Sequence, residues 1–399
     1  MTEVAEAEAL ILEHLPRLGV CRQPLADCVD RVLAEEVTAE RDQPPFDRVT
    51  MDGIAIAARD WDAGIRTYEI IGTQAAGAPP LEVGARAACV EVMTGAMLPR
   101  GADTVIPVER IAREDRAATV DARASVAHRQ YVHRRGSDRQ AGVVVLAAGA
   151  RIGPPEVAVL ASVGRATVTV AELPRVAVVS TGDELVDVDE PLADYQIRSS
   201  NDRAIEASLI RAKLASVSRS RVRDDVAALR SALAKLDADA DVVVLSGGVS
   251  MGQFDLVPGV LAELGARLVF HRVKQRPGKP IWFGTSARGK PIFALPGNPV
   301  STLVCATRYL LPALRAAAGL APPPAEVVTL AAPAEASAEL THFLPVKLSC
   351  SPAGAALATP CPTNTSGDFA ALAGTDGFVE LPARRSEYPA GATARLFRW

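Results

Sequence analysis

The sequence predicts a multi-domain protein of the α/β plus β class, organised around a central doubly wound, mostly parallel α/β domain. Three observations support this prediction. Residues 173–321 alternate short apolar runs with helical patterns, which is the order of elements in a doubly wound sheet. Residues 46–139 and 325–399 instead contain short β-prone runs between turn residues. With 399 residues, 49% of them hydrophobic, the chain can bury several separate cores.

The sequence pattern of the N-terminal part predicts a helical and linker domain that is interrupted by an insertion. This domain would combine residues 1–45 with 140–172. An acidic, alanine-rich stretch at 3–15 suits a first helix, and residues 25–33 could form a second one. The inserted residues 46–139 predict a small β module, either a barrel or a sandwich.

The remaining chain predicts two further domains. Residues 173–321 would form the α/β domain, in which the apolar run 242–245 suits a strand buried on both faces. The proline run 322–324 acts as a stiff linker. Residues 325–399 would then form a small C-terminal β-barrel domain.

Turns rich in glycine, proline and basic residues follow three predicted strands of the α/β domain. The candidate ligand-binding residues in these turns are Gly247, Gly248 and Ser250 after the first strand, Arg276 and Lys279 after the second, and Pro296, Gly297, Asn298 and Ser301 after the third. The strand ends of a parallel sheet lie along one edge, where ligands bind. Any α/β protein places glycine and proline in such loops, so a single turn carries little weight. Three turns on one edge favour a site for an anionic ligand.

Carboxylates and hydroxyls fall at strand ends as well. They are Asp52, Thr94, Thr181, Asp183 and Glu184, with Asp255 after the first glycine turn. Carboxylates beside phosphate-binding loops indicate a hard divalent cation such as Mg²⁺, which assists cleavage of phosphoanhydrides. Turn chemistry is an alternative explanation for Asp52 and Thr94, and helix capping explains one of Asp224 and Asp225. The residues thus indicate metal-assisted phosphoryl chemistry without identifying the ligand.

The bulk composition excludes several classes of protein. A net charge of −4 and an aromatic content of 4% argue against nucleic-acid binding. The six cysteines form no CxxC pair, which argues against structural zinc and a disulfide framework. The phosphate-binding motif GxxxxGK[ST] is absent. No signal segment and no run of about 18 apolar residues is present, so a cytoplasmic protein with no membrane partner is expected.

Seven ordered motifs resemble those of the molybdopterin molybdenumtransferases, the MoeA and gephyrin E-domain family. They are TMDGIAI, MTGAMLPRGADTVIPVE, VHRRGSD, VAVVSTGDEL, SGGVSMGQFD, RPGKP and LPGNPVST. The resemblance implies that the α/β domain binds molybdopterin and that the chain inserts molybdate into adenylylated molybdopterin. Hydrolysis of the pyrophosphate bond, assisted by Mg²⁺, would release AMP. It also implies a homodimer with an active site shared between subunits, and upstream cofactor-synthesis proteins and apo-molybdoenzymes as further partners.

The resemblance also assigns roles residue by residue. Catalytic residues would be Asp52, Glu184, Asp255 and Lys279, with Glu184 and Asp255 also near the metal. Substrate-binding residues would be Thr94, Thr181, Gly182, Asp183, Asp224, Gly247, Gly248, Ser250, Arg276, Pro296, Gly297, Asn298, Ser301 and Ser366. Asp52 and Thr94 would come from the partner subunit, and Asp225 rivals Asp224 for its role.

Three departures from the family pattern stand out, and the last of them leaves a second hypothesis open. Thr50 and Ile54 flank MDG, where the family commonly has a small residue and a tyrosine. Arg276 stands where the family commonly has lysine, and its planar guanidinium contacts anions differently. Residues 339–347 stand where the family commonly has an arginine-rich stretch. The alternative is therefore a non-catalytic carrier or scaffold that binds molybdopterin and serves a particular molybdoenzyme.

Overall fold

The computed structural model describes residues 1–15, 18–249 and 256–399. Two predicted site residues, Ser250 and Asp255, lie outside the described residues. The described chain divides into two compact units. The first comprises Met1–Glu35, Gly149–Gly153 and Thr167–Trp399, and the second comprises Glu36–Ala148 and Pro154–Ala166. None of the helices in these ranges is long and apolar enough to cross a membrane.

The first unit begins with the predicted N-terminal helix. Helix α1 spans Val4–Glu13 and is capped by a reciprocal pair, in which the Glu3 and Glu6 side chains each accept from the other's backbone amide. Strand β1, Val20–Pro24, follows.

The prediction of a second helix at residues 25–33 is wrong. Only a single 3₁₀ turn, Leu25–Asp27, forms there. Asp30 then takes a φ of +68°, which a continuing helix of L-residues does not tolerate. The Leu33 amide donates to the Ala150 carbonyl oxygen at 2.8 Å, so this backbone is satisfied by a distant segment rather than by a helix.

The second unit holds a six-stranded mixed sheet that forms the body of the β module. Its elements are β2 (Val37–Thr38), β3 (Arg48–Val49), β4 (Gly53–Ile56), α2 (Ala58–Asp62), β5 (Thr67–Gln74), β6 (Ala88–Val92), β7 (Thr104–Pro107), β8 (Ile111–Glu114), β9 (Ala117–Val120), β10 (Val132–His133), β11 (Val144–Leu146) and α3 (Pro154–Ser162). The strand order is β7-β4-β6-β5-β9-β8. Because β7 and β8 do not pair, the sheet is open, and a closed barrel is not what forms here. Ile54 and Ile56 pack on one face of the sheet, and Ala55 and Val90 on the other.

The first unit continues with the predicted α/β domain. Its elements are β12 (Thr167–Ala171), β13 (Arg175–Thr181), β14 (Leu185–Val186), β15 (Ile197–Arg198), α4 (Asn201–Ala212), β16 (Ser216–Val222), α5 (Val226–Asp239), β17 (Val242–Ser246), α6 (Val257–Glu263), β18 (Arg267–His271), β19 (Gln275–Arg276), β20 (Trp282–Thr285), β21 (Pro291–Leu295), α7 (Pro299–Cys305) and α8 (Leu311–Ala317). A π-helical segment, Ala306–Leu310, joins α7 to α8. Strand β12 pairs with β1.

The sheet of this domain is mostly parallel, as predicted. Its order is β16-β13-β17-β21-β20-β18, and only β20 runs opposite to its neighbours. Every residue of β17 is buried, and apolar clusters lie on both faces of the sheet. Since β18 is antiparallel to β20, and β20 to β21, the carboxyl ends of β17, β21 and β18 face the same edge. The three predicted ligand loops therefore leave the sheet on one side.

The C-terminal part of the first unit is a closed small barrel, also as predicted. The strands of this region are β22 (Val327–Leu330), β23 (Ala334–Glu335), β24 (Thr341–Cys350), β25 (Ala356–Pro360), β26 (Gly377–Leu381), β27 (Glu387–Tyr388) and β28 (Thr393–Arg398). Of these, β23 and β27 pair with each other in a separate two-stranded sheet. The pairings β24-β25-β22-β28-β26 return to β24 and close the barrel. Strand β19 adds to β24 in parallel, with Gln275 beside Thr341 and Arg276 beside His342. The basic loop of the α/β domain is thereby joined to the barrel.

Candidate active site

In the second unit, Asp52 and Thr94 form a hydrogen-bonded pair. Asp52 lies just before β4 and Thr94 just after β6, and these two strands are neighbours in the sheet. One Asp52 carboxylate oxygen accepts from the Thr94 hydroxyl at 2.7 Å and from the Thr94 amide at 2.6 Å. Both bonds stabilise the ionised form, so the pKa of Asp52 is lowered. The two side chains are exposed, which leaves the carboxylate available to another molecule.

In the first unit, a polar cluster lies at the carboxyl end of β13. Thr181 is buried, whereas Asp183 and Glu184 are exposed. The Thr181 hydroxyl donates to the Asp224 carboxylate. The Asp225 side chain instead accepts from the Ala228 amide at 2.8 Å and caps α5. The structure thus separates two aspartates that sequence reasoning could not tell apart, since one faces β13 and its neighbour caps a helix.

The glycine turn after β17 allows the ends of two strands to approach closely. A Cβ atom at Gly247 would lie 2.6 Å from the Thr181 carbonyl oxygen, and one at Gly248 would lie 2.8 Å from Val257 Cγ2. Their φ values of +105° and +66° also favour glycine. Only glycine fits here without displacement, so the backbone of this turn stays close to the end of β13.

Asn201 links the same turn to the end of β21. Its Nδ2 donates to Ser246 Oγ at 2.9 Å and to the Gly297 carbonyl oxygen at 2.7 Å. Asn201 is the first residue of α4, and no local signal in the sequence indicates that it joins two strand ends. Tertiary packing alone gives it this role.

A cavity of about 820 Å³ lies between the α/β domain and the barrel, inside the first unit. Six predicted site residues line it: Arg276, Lys279, Pro296, Asn298, Ser301 and Ser366. The Asn298 side-chain amide donates to Ser366 Oγ at 2.7 Å, and the Val300 backbone amide donates to the Ser366 carbonyl oxygen at 3.0 Å. These two bonds hold the barrel loop that carries Ser366 against the start of α7. Thr363, Asn364 and Thr365 of that loop also line the cavity and were not predicted.

The cavity wall is cationic on the side of the α/β domain. The Arg276 and Lys279 side chains are exposed, and neither forms an ion pair within the described residues. Opposite them, the barrel contributes His342. The His342 Nδ1 lies 3.1 Å from the Glu335 carbonyl oxygen, so this nitrogen donates its proton there. Burial and, to a smaller extent, the charge of Arg276 lower the pKa of His342, so the ring is neutral near neutral pH.

Of the two predicted metal ligands, Glu184 lies within the described residues and Asp255 lies outside them. Among residues 1–15, 18–249 and 256–399, no three His, Cys, Asp or Glu side chains form a group that could hold a metal ion. The donors near the end of β13 are carboxylates and a hydroxyl, the oxygen donors that Mg²⁺ prefers. Since Mg²⁺ commonly binds through one or two carboxylates together with substrate phosphates, Glu184 remains a chemically suitable ligand.

Comparison with known proteins identifies the class of the molecule. A model of the MoeA N-terminal region (domain I and II) matches residues 2–164, one of a probable molybdopterin binding domain matches 177–316, and one of the MoeA C-terminal region (domain IV) matches 327–396. Two solved structures of molybdopterin biosynthesis MoeA protein from Pyrococcus horikoshii superpose with a TM-score of 0.85. They are 31% and 26% identical in sequence, and both cover 100% of this chain and at least 99% of their own. The fold and the three matched regions together define a molybdenum cofactor biosynthesis protein of the MoeA class.

Full-length relatives identify the family. A molybdopterin molybdenumtransferase from Synechocystis sp. is 38% identical over 100% of both chains. The Bacillus subtilis protein of the same name is 31% identical, over 93% of this chain and 88% of its own. The chain belongs to the molybdopterin molybdenumtransferase family and is a transferase. The resemblance read from the seven motifs is confirmed.

Proposed function

We propose that the chain inserts molybdate into adenylylated molybdopterin, with hydrolysis of the pyrophosphate bond and release of AMP. The cavity between the α/β domain and the barrel carries this proposal. Its wall presents Arg276 and Lys279 without ion-pair partners in the described part of the chain, and an oxyanion suits such a wall. The Synechocystis and Bacillus relatives carry the name of this activity.

The adjacent sheet edge would bind the rest of the substrate. The Gly248 amide can meet a phosphate, because no Cβ stands in the way. The Gly247 amide instead donates to the Leu295 carbonyl oxygen at 3.1 Å and holds the turn against β21. Ser250, two residues further along the sequence, would contribute its hydroxyl. The segment from Pro296 to Ser301 and Ser366 would line the pterin. The hydroxyl of Thr181 and the carboxylates of Asp183 and Asp224, beside Gly182, would face the polar end of the substrate.

The chemistry at the pyrophosphate needs charge neutralisation and a positioned water. Glu184 and Asp255 would hold Mg²⁺ together with phosphate oxygens, and the bound ion would neutralise charge at the pyrophosphate. Water adds to one phosphorus and the bridging P–O bond breaks, so that AMP leaves and a phosphate stays on molybdopterin. Lys279 would hold the incoming molybdate.

We also propose a homodimer in which Asp52 and Thr94 of one subunit complete the site of the other. Support comes from the pair itself, an ionised and exposed carboxylate held by two hydrogen bonds. The proposal keeps four domains per subunit: 1–45 with 140–172, 46–139, 173–321 and 325–399. It places the reaction in the cytoplasm, where thiols such as the six cysteines stay reduced. The carrier or scaffold alternative is not favoured, because relatives that cover 93% and 100% of the chain are named as transferases.

The test is molybdate-dependent AMP release. Purified chain is mixed with adenylylated molybdopterin, molybdate and Mg²⁺, and the product is offered to an apo-molybdoenzyme. We expect AMP release that requires molybdate, and a loss of about a hundredfold in Glu184→Gln, Asp255→Asn and Lys279→Ala. Tight binding of the pterin without AMP release by the wild type would contradict the proposal and support a carrier.

A further inference from the structure

The basic loop that carries Arg276 and Lys279 lies on three buried polar side chains. Gln275 and Cys305 are 0% exposed and Tyr309 is 1% exposed. Gln275 and Arg276 are consecutive in β19, so their side chains point to opposite faces. One residue is therefore buried while the next is exposed at the cavity.

Gln275 uses most of its hydrogen-bonding capacity on this loop and its support. Its Nε2 donates to the Pro277 carbonyl oxygen at 3.1 Å and to Cys305 Sγ at 3.5 Å. Its Oε1 accepts from the Tyr309 hydroxyl. A buried amide costs free energy unless it is paired, so this pairing fixes the Gln275 side chain in one orientation. Through it, the Pro277 carbonyl is fixed as well.

The loop also packs directly against the helix that holds Tyr309. Cys305 ends α7, and Tyr309 lies in the π-helical segment that follows. A Cβ atom at Gly278 would lie 2.5 Å from Cys305 Sγ and 2.7 Å from Gln275 Nε2, and Gly278 has a φ of +89°. The backbone between the two cations therefore has little room to shift without displacing buried groups.

We infer that Gln275, supported by Tyr309, is a positioning residue that sets the placement of Arg276 and Lys279 and hence the affinity of the cavity for an oxyanion. The inference rests on the proposed function. Because neither cation is held by an ion pair within the described residues, their placement depends on the backbone between them. An apolar side chain of similar volume could fill the same space, but it could not hold the Pro277 carbonyl.

The test measures molybdate binding by calorimetry, with the full chain and three variants. Gln275→Met keeps the length of the side chain and removes its amide, and Tyr309→Phe removes the hydroxyl. The double variant leaves neither half of their hydrogen bond unpaired, so its melting temperature should return towards that of the wild type. We expect Gln275→Met and the double variant to bind molybdate about five- to tenfold more weakly than wild type.

A matched control is available in the second unit. Gln74 is also 0% exposed, and its Nε2 donates to the carbonyl oxygens of Ala78 and Pro79 at 3.1 and 3.0 Å. Gln74→Met should lower the melting temperature and leave molybdate affinity unchanged. Combining Gln275→Met with Lys279→Ala should weaken binding by less than the product of the two single effects, since part of the Gln275 effect acts through Lys279.

Three results would overturn the inference. Wild-type affinity in Gln275→Met would show that the amide does not position the loop. Recovery of both stability and affinity in the double variant would show a purely structural role. A wild-type chain that binds no molybdate would overturn the proposed function together with this inference, whereas the first two results leave the proposed function intact.

Discussion

At the scale of single residues, the protonation states at the site follow from specific neighbours. The Asp52 carboxylate is held ionised by two bonds from Thr94, which lower its pKa. His342 is neutral because burial and the nearby Arg276 charge lower its pKa. The cavity therefore has two permanent cations on the side of the α/β domain, whereas the barrel side has the uncharged His342 ring and the exposed Glu335 side chain.

This difference predicts a pH dependence of molybdate binding. A neutral His342 becomes a cation as pH falls towards its lowered pKa, and a bound anion favours the cation. Molybdate affinity should therefore rise as pH falls below about 6.5, the ordinary pKa of histidine, towards the lowered pKa of His342. His342→Arg should bind more tightly at all these pH values, and His342→Gln should lose the pH-dependent part. Calorimetry at several pH values measures both, and an unaltered profile in His342→Gln would contradict the prediction.

At the scale of elements, neighbouring residues at one helix start have different roles. Asp225 caps α5 through the Ala228 amide, whereas Asp224 accepts from Thr181 at the end of β13. Two adjacent aspartates of one loop therefore serve different elements: Asp224 bonds to the end of β13, and Asp225 caps α5.

These roles predict opposite outcomes for two adjacent substitutions. Asp225→Ala should lower the free energy of unfolding by about 1 kcal/mol and leave AMP release unchanged, because only the cap is lost. Asp224→Asn should reduce AMP release and leave unfolding nearly unchanged. Urea unfolding and the AMP assay on both variants measure this, and each variant serves as the control for the other. Loss of activity in Asp225→Ala with full activity in Asp224→Asn would reverse the assignment.

The helical stretch from α7 to α8 also connects elements that are distant in the chain. Arg308, in its π-helical segment, is 2% exposed and contacts Glu8 of α1 at 2.9 Å and Glu380 of β26 at 3.5 Å. Burial alone would lower the pKa of Arg308, but the bond to Glu8 and the charge of Glu380 outweigh it and raise the pKa. The guanidinium therefore stays charged and ties α1 to the barrel.

Removing this buried cation should destabilise the first unit strongly. Arg308→Leu leaves the Glu8 and Glu380 carboxylates without their partner and should lower the free energy of unfolding by about 3 kcal/mol. Arg308→Leu combined with Glu380→Leu should recover part of the loss, because one unpaired carboxylate is then absent. Urea unfolding of both variants measures the effect, and a neutral Arg308→Leu would show that the ion pairs contribute little.

At the scale of the whole molecule, the proposed dimer divides each site between two chains. Asp52 and Thr94 belong to the second unit, and the cavity and the sheet edge belong to the first. If each site takes these parts from different subunits, two inactive variants can complement each other.

Mixing Asp52→Asn chains with Glu184→Gln chains should therefore restore activity. Random pairing makes half of the dimers mixed, and each mixed dimer has one intact site, so about one quarter of wild-type AMP release is expected. Mixing Glu184→Gln with Asp224→Asn is the control, since both changes fall in the same unit and no intact site results. Failure of the first mixture to exceed the control, after exchange of subunits is verified, would contradict a shared site.

Local patterns in the sequence predicted the main strands, their ligand-binding turns and the family, because strand burial and turn conformation depend mainly on residues that are close in the chain. The apolar run of β17, the glycines that follow it and the order of strands and helices predicted the parallel sheet and its ligand-binding edge. The seven motifs predicted the family. The prediction of a helix at 25–33 was wrong because a distant segment decides this backbone conformation. The Leu33 amide there donates to the carbonyl oxygen of Ala150, far along the chain.

Only the tertiary structure decided which residues meet. It separated Asp224 from Asp225, made Asn201 a link between two strand ends, and placed His342 beside Arg276. It also placed Gln275 beneath the basic loop and against Tyr309. Most of these contacts join residues that are far apart in the sequence. Asp224 and Asp225 are adjacent and differ only in the direction in which their side chains point. Hydrogen bonding and burial at such contacts depend on how the folded elements pack together, and local patterns in the sequence do not specify that packing.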